Sequence, residues 1–132
     1  MTYSPLTYLH DLQFDDLPAP VVAQAKRCLL DLIGTGIGGA TTPLSSIIRN
    51  HVAEDMPGHT PMLFDARFAS VSGAALAGGM TIDALDGHDG YNPAKGHAGC
   101  GVLPALLAMA DATSTTDGQE ILTTLILGYE YA

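Results

Sequence analysis

Between Val21 and Ile37 the apolar positions recur in steps of three and four: Val22, Ala25, Cys28, Leu29, Leu32, Ile33, Gly36 and Ile37. That spacing predicts one face of a helix, with Gln24, Lys26, Arg27 and Asp31 on the other side. Pro18 and Pro20 open it, a favoured place for proline because first-turn amides have no intrahelical partner to lose. A second short helix follows over Leu44 to Val52, with Leu44, Ile47, Ile48 and His51 or Val52 on one face and His51 read as a surface or rim residue. The segment Glu54 to Ala66 is broken by Pro57, Gly58 and Pro61 and reads as loop, with a short extended piece at Met62 to Phe64.

From Arg67 to Ile82 small and apolar residues dominate and no charge intervenes until Asp83. A helix so uncharged on every side is expected to be packed all round. Val102, Leu103, Leu106, Leu107 and Ala110 predict the next buried helix. Asp117 caps the last, through Ile121, Leu122, Leu125, Ile126 and Tyr129, with Glu120 at the capping-box position. Five helices with almost no strand pattern predict an all-α chain, one small domain over residues 1–132.

Composition narrows the partners. A formal charge of −9, with only five Lys and Arg among 132 residues, argues against nucleic acid and against an anionic membrane surface. The amino terminus from Met1 to Asp16 lacks a basic stretch followed by an apolar one, and no apolar run is long enough to span a bilayer. Cys28 and Cys100 lie far apart with no C-x-x-C spacing and read as free thiols of a reducing compartment. A cytoplasmic location is the expectation.

Gly34-Thr35-Gly36-Ile37-Gly38-Gly39 satisfies G-x-G-x-x-G. The dinucleotide fingerprint needs a strand before the glycines and a helix opening on them, whereas here the preceding segment has helical period. The glycines are expected to admit a close neighbour or to end the helix.

The chemistry concentrates between Leu85 and Leu103, where Asp86, His88, Asp89, Lys95 and His97 share a glycine-rich loop leading into an apolar helix. Gly, Asp, Asn and Pro serve any sharp turn. Imidazole does not, and it is the side chain most used for acid–base work near neutral pH. A metal site is disfavoured because no H-x-x-x-H or H-x-x-E-H spacing is present, although His88, Asp89 and His97 could form one. Nucleophilic catalysis is weaker still, with no G-x-S-x-G and no signature around Cys100. Acid–base chemistry at carbon fits better: a histidine near neutrality, a carboxylate to orient it, and Lys95 with the free amides of the following helix as donors to an acid.

Taken in order, Leu17-Pro18 with Ala25 to Asp31, the Gly34 to Gly39 glycines, Ala84-Leu85-Asp86-Gly87-His88-Asp89, Gly96-His97-Ala98-Gly99 running into Val102 to Ala105, and Gly128-Tyr129-Glu130 resemble the amino-terminal part of the MmgE/PrpD family. This family includes 2-methylcitrate dehydratases, cis-aconitate decarboxylases and iminodisuccinate epimerases. The resemblance implies a portion of the family's helical domain without its lid domain, and metal-free, cofactor-free lyase or isomerase chemistry on small di- or tricarboxylic acids. It implies Asp86 and His97 in the active site, with Asp89 at the family's second acidic position. Joined to the acid–base reading, this makes Asp86 and His97 the expected catalytic residues and Lys95, His88 and Asp89 the expected substrate-binding ones. Many relatives carry threonine or histidine after the second aspartate and proline after the histidine; here Gly90 and Ala98 stand there. The resemblance also implies association, as a homo-oligomer or with the remainder of the family architecture. A non-catalytic helical module acting through association is the alternative.

Overall fold

The computed structural model describes residues 4–93 and 95–132. Met1 to Tyr3, with which the signal-free reading of the amino terminus begins, and Ala94 of the loop lie outside them. Among the described residues six α-helices follow in order: α1 Pro5–Asp11, α2 Ala19–Gly39, α3 Pro43–Asp55, α4 Val71–Asp83, α5 Ala98–Thr113 and α6 Gly118–Tyr131. A 3-10 turn, Phe14–Asp16, precedes α2, and two short antiparallel strands, β1 Thr60–Pro61 and β2 Phe68–Ala69, precede α4. The chain is all-α in class.

Helix α4 is the hub, packing on α5, α3 and α2. Its sequence allows this because Gly73, Ala74, Ala77 and Gly78 are all buried and bring little side-chain bulk. A Cβ on Gly78 would meet the Pro104 ring of α5 at 2.7 Å, and one on Gly39 of α2 would strike the Thr81 carbonyl. The last glycine of the G-x-G-x-x-G stretch therefore serves helix approach and ends α2, with no strand before it. Leu32, Ile82, Leu103 and Leu125 are fully buried at the meeting of α2, α4, α5 and α6, each contributing roughly 1.5–3 kcal/mol of apolar burial. A second cluster joins Ile48 and Val52 of α3 to Met62, Ala69, Ala74, Ala77 and Ala108.

Several expectations are corrected. Arg67 to Ala69 is not helical. Phe68 and Ala69 pair with Thr60 and Pro61, and α4 starts only at Val71, where the Ser70 hydroxyl accepts from the Gly73 amide at 3.1 Å. The extended piece lies at Thr60–Pro61, ahead of Met62, while Phe64 turns through a left-handed conformation. Helix α1 and the 3-10 turn carry too few residues for apolar periodicity to reveal them. Ile33, Ile37, Leu44 and Ile47 belong to exposed positions; α3 buries the expected Ile48 and Val52 together with Ser45. Helix α5 begins at Ala98, a turn earlier than its apolar run, and the Asp117 cap bonds the Gln119 amide at 2.9 Å. Among the described residues no helix is long and apolar enough to cross a membrane; Cys28 and Cys100 are both free.

Candidate active site

The loop between α4 and α5 folds over the carboxyl end of one helix and the amino end of the other. Asp83 closes α4, and the chain turns there because the Asp86 amide donates to the Asp83 carbonyl at 2.8 Å. Asp86 takes φ of 47°, a left-handed conformation that aspartate tolerates better than most side chains because it is short and polar. Its carboxylate consequently stands out from the surface, 87% exposed. Lys95 takes φ of 57° in a tight turn closed by the Tyr91–Gly96 bridge and is also exposed.

His97 sits at the N-cap of α5 but makes no side-chain cap bond, which leaves its imidazole free to face the loop. Its Nε2 lies 3.5 Å from Asp86 Oδ1, and its ring centroid lies 4.4 Å from that of His88. His88 is different in kind. Its side chain has no solvent exposure, and its Nε2 is 3.6 Å from Asp83 Oδ1. Two carboxylate–imidazole pairs thus lie back to back.

A cavity of about 880 Å³ opens beside this pair, within the size range of small-molecule sites. Gln24 and Cys28 of α2, Asp89 and Tyr91 of the loop, His97, and Tyr129 of α6 line it, with Gly101, Val102 and Ala105 of α5 forming one wall. A smaller hollow of about 290 Å³ holds Lys95, Asn92 and Tyr91, and His97 borders both. Asp89 and His97 therefore lie on the main cavity and Lys95 in the adjoining hollow, whereas Asp86 lines neither and meets the site through His97. His88 is buried behind them.

Tyr129 is the residue the apolar pattern concealed. Periodicity counts it as one more position on the face of α6, yet its hydroxyl reaches the cavity wall next to Asp89. Burial first, and the Asp89 carboxylate second, push its ionisation well above the ordinary tyrosine value. Gly99 makes room for the pair: a Cβ there would strike the Tyr129 hydroxyl and lie 2.7 Å from Asp89 Oδ1. The only sign in the sequence was Gly128-Tyr129-Glu130, as part of the family resemblance. Cys100 is likewise raised, by burial and then by Asp83 and Asp89, so its thiol is protonated and a poor nucleophile.

The electrostatic balance here is negative. Asp83, Asp86 and Asp89 belong to this loop and the helix end before it, against Lys95 as the loop's lysine, with the free amides of the first turn of the 16-residue α5 as further donors. The arrangement can hold a proton on an imidazole backed by a carboxylate and offer Lys95 to one anionic group.

The chain is 29% identical over 130 residues to the cis-aconitate decarboxylase-like protein oryM of Aspergillus oryzae, covering 93% of this chain and 27% of that protein. It is 28% identical over 140 residues to human cis-aconitate decarboxylase, covering 98% and 28%. It is 27% identical over 125 residues to the cis-aconitate decarboxylase of Aspergillus terreus, covering 91% and 26%. The chain thus spans about a quarter of the length of these curated relatives. No solved structure matches it significantly. The sequence profile described as the MmgE/PrpD N-terminal domain matches residues 6–132, and the chain belongs to the MmgE/PrpD family.

Proposed function

We propose that this chain supplies the amino-terminal part of a lyase or isomerase acting on a small di- or tricarboxylic acid by acid–base chemistry. The observation that carries the reading is the 3.5 Å approach of Asp86 to His97 at the edge of a cavity large enough for such an acid. In this mechanism His97 exchanges a proton with a substrate carbon or leaving group. Asp86 orients the imidazole. Lys95, one hollow away, binds a substrate carboxylate, and the first amides of α5 stabilise negative charge that develops as the proton leaves. Asp89, held beside Tyr129, binds a substrate hydroxyl or carboxyl group. A polyanion entering this acidic loop needs further cations, which the remainder of the family architecture or a second copy would contribute. The acid–base steps require no cofactor, and the free thiols fit a reducing cytoplasm.

The relatives are cis-aconitate decarboxylases or resemble them, which favours cis-aconitate as the first substrate to try. Proton NMR of cis-aconitate, methylcitrate and iminodisuccinate incubated in heavy water with the protein tests the reading. Product or deuterium uptake that disappears in His97→Ala supports it. A folded chain that leaves all three acids untouched, alone and with the rest of a family architecture supplied, overturns it.

A second reading rests on the exposed apolar residues of α2 and α3. Leu30 is 72% exposed, Ile37 57% and Ile47 66%, more apolar surface than isolated positions need. A non-catalytic module acting through association would use this face. Light scattering separates the two, since a stable monomer at low concentration contradicts an obligate association role.

A further inference from the structure

Behind the histidine that faces the cavity lies a second cluster for which the acid–base reading has no use. Asp83 from the end of α4, His88 from the loop and Cys100 from the first turn of α5 each offer one ligand atom, and these atoms all lie within 4.8 Å of one another. They converge because α4 and α5 approach closely one turn away, where a Cβ on Gly79 would lie 3.1 Å from the Cys100 carbonyl oxygen. We infer that Asp83, His88 and Cys100 form a binding site for a divalent transition-metal ion of the zinc or cobalt type.

The independent observation is the state of His88. Its side chain is wholly buried, yet neither Nδ1 nor Nε2 has a hydrogen-bond partner. A buried polar group left unpaired costs roughly 1–3 kcal/mol, and a metal ion accepts one of these nitrogens directly. Distance agrees. Bond lengths of about 2.0–2.3 Å place tetrahedral ligand atoms about 3.3–3.8 Å apart, and Asp83 Oδ1 and His88 Nε2 already stand 3.6 Å apart. The remaining pairs lie within 4.8 Å.

Charge agrees as well. On binding, the Cys100 thiol gives up one proton to solvent, and its sulfur forms the bond to the metal. One thiolate, one carboxylate and a neutral imidazole then balance a dication. Sulfur and nitrogen donors select a borderline ion over magnesium or calcium, which require oxygen. A nucleophilic Cys–His–Asp reading of the same three residues fails, because the Cys100 S–H donates to the His97 carbonyl at 3.1 Å instead of to His88.

The test uses the reduced, chelator-treated chain titrated with Co²⁺ in the absence of oxygen. One equivalent is expected to produce a thiolate-to-cobalt charge-transfer band that Zn²⁺ bleaches and Mg²⁺ leaves alone. Cys100→Ser should abolish the band, whereas Cys28→Ser should retain it. His88→Gln should weaken Co²⁺ binding by at least about tenfold, the lower end of what loss of even an outer-shell partner costs. Asp83→Asn, at a half-exposed position where folding is not at stake, should weaken it too. Absence of the band, its survival in Cys100→Ser, or unchanged affinity in Asp83→Asn overturns the site. A Cys100 alkylated by iodoacetamide equally fast with and without saturating Zn²⁺ does so as well.

Discussion

The imidazole rings of His88 and His97 stand 4.4 Å apart and tilted by 49°, the first sealed in the interior and the second one-third exposed at its side chain. Two residues of one type, nine apart in sequence, therefore hold different positions. His88→Ala removes a fully packed ring and is expected to cost roughly 2–4 kcal/mol in urea denaturation. His97→Ala should stay within about 1 kcal/mol. Equal losses at the two positions would contradict the burial described.

Gly99 and Gly34 offer a paired test of close approach. Both are helical, but a Cβ on Gly99 would strike the Tyr129 hydroxyl and lie 2.8 Å from Leu32 Cδ1, whereas one on Gly34 meets nothing within 4 Å. Gly99→Ala is expected to destabilise by roughly 1–3 kcal/mol through overpacking. Gly34→Ala should stabilise by roughly 0.5–1 kcal/mol through helix propensity. Combining Gly99→Ala with Tyr129→Phe should recover part of the loss, a coupling that thermal melts of the double-mutant cycle measure.

Tyr129 also has a spectroscopic signature. Of the chain's five tyrosines it should be the last to ionise, because burial and Asp89 hold its folded-state value above the unfolded one near 10. A raised folded value gives stability that is complete below the unfolded value and is lost as pH climbs past it. Ultraviolet titration should show one tyrosine ionising together with alkaline unfolding, and Tyr129→Phe should remove that late step.

At the opposite pH extreme, Asp65 braces the loop that precedes α4. Bidentate hydrogen bonds from Arg67, at 2.8 and 2.9 Å, are the chief reason its carboxyl is held down at about 2. Arg49 approaches the same carboxylate at 3.7 Å while donating to the Phe64 carbonyl at 3.0 Å. A lowered folded value gives stability that is present above the unfolded value of 3.8 and is lost as pH falls from there towards 2. Asp65→Asn should cost about 1 kcal/mol at neutral pH, and the gap to the parent chain should close in acid when stability is followed by circular dichroism.

Much of this was legible in the sequence, for physical reasons that differ by element. The buried faces of α2, α4, α5 and α6 are written in apolar spacing because Leu32, Ile82, Leu103 and Leu125 each repeat at helical intervals with their neighbours. Phe68 misled, since an aromatic before a small-residue run looks like its first turn, while the Ser70 cap that starts α4 leaves no apolar trace. Ile37 and Ile47 misled because spacing cannot tell a core face from an apolar face left open to solvent. At the site, the residue types of Asp86 and His97 announced their chemistry, but the burial of His88 and the arrival of Tyr129 depend on contacts between distant elements. Neither is a property of local sequence. Cys100 joined Asp83 and His88 for the same reason, through the α4–α5 crossing.

The central claim is that His97 faces a small polycarboxylic acid, and histidine NMR addresses it most directly. Long-range proton–nitrogen spectra recorded while cis-aconitate is added follow all five imidazoles at once. The account predicts that the His97 signals shift on saturation, that the exposed His51 and His59 stay in place, and that Lys95→Ala weakens the response. Saturating acid that leaves His97 unmoved, or that moves only His51 and His59, would contradict it.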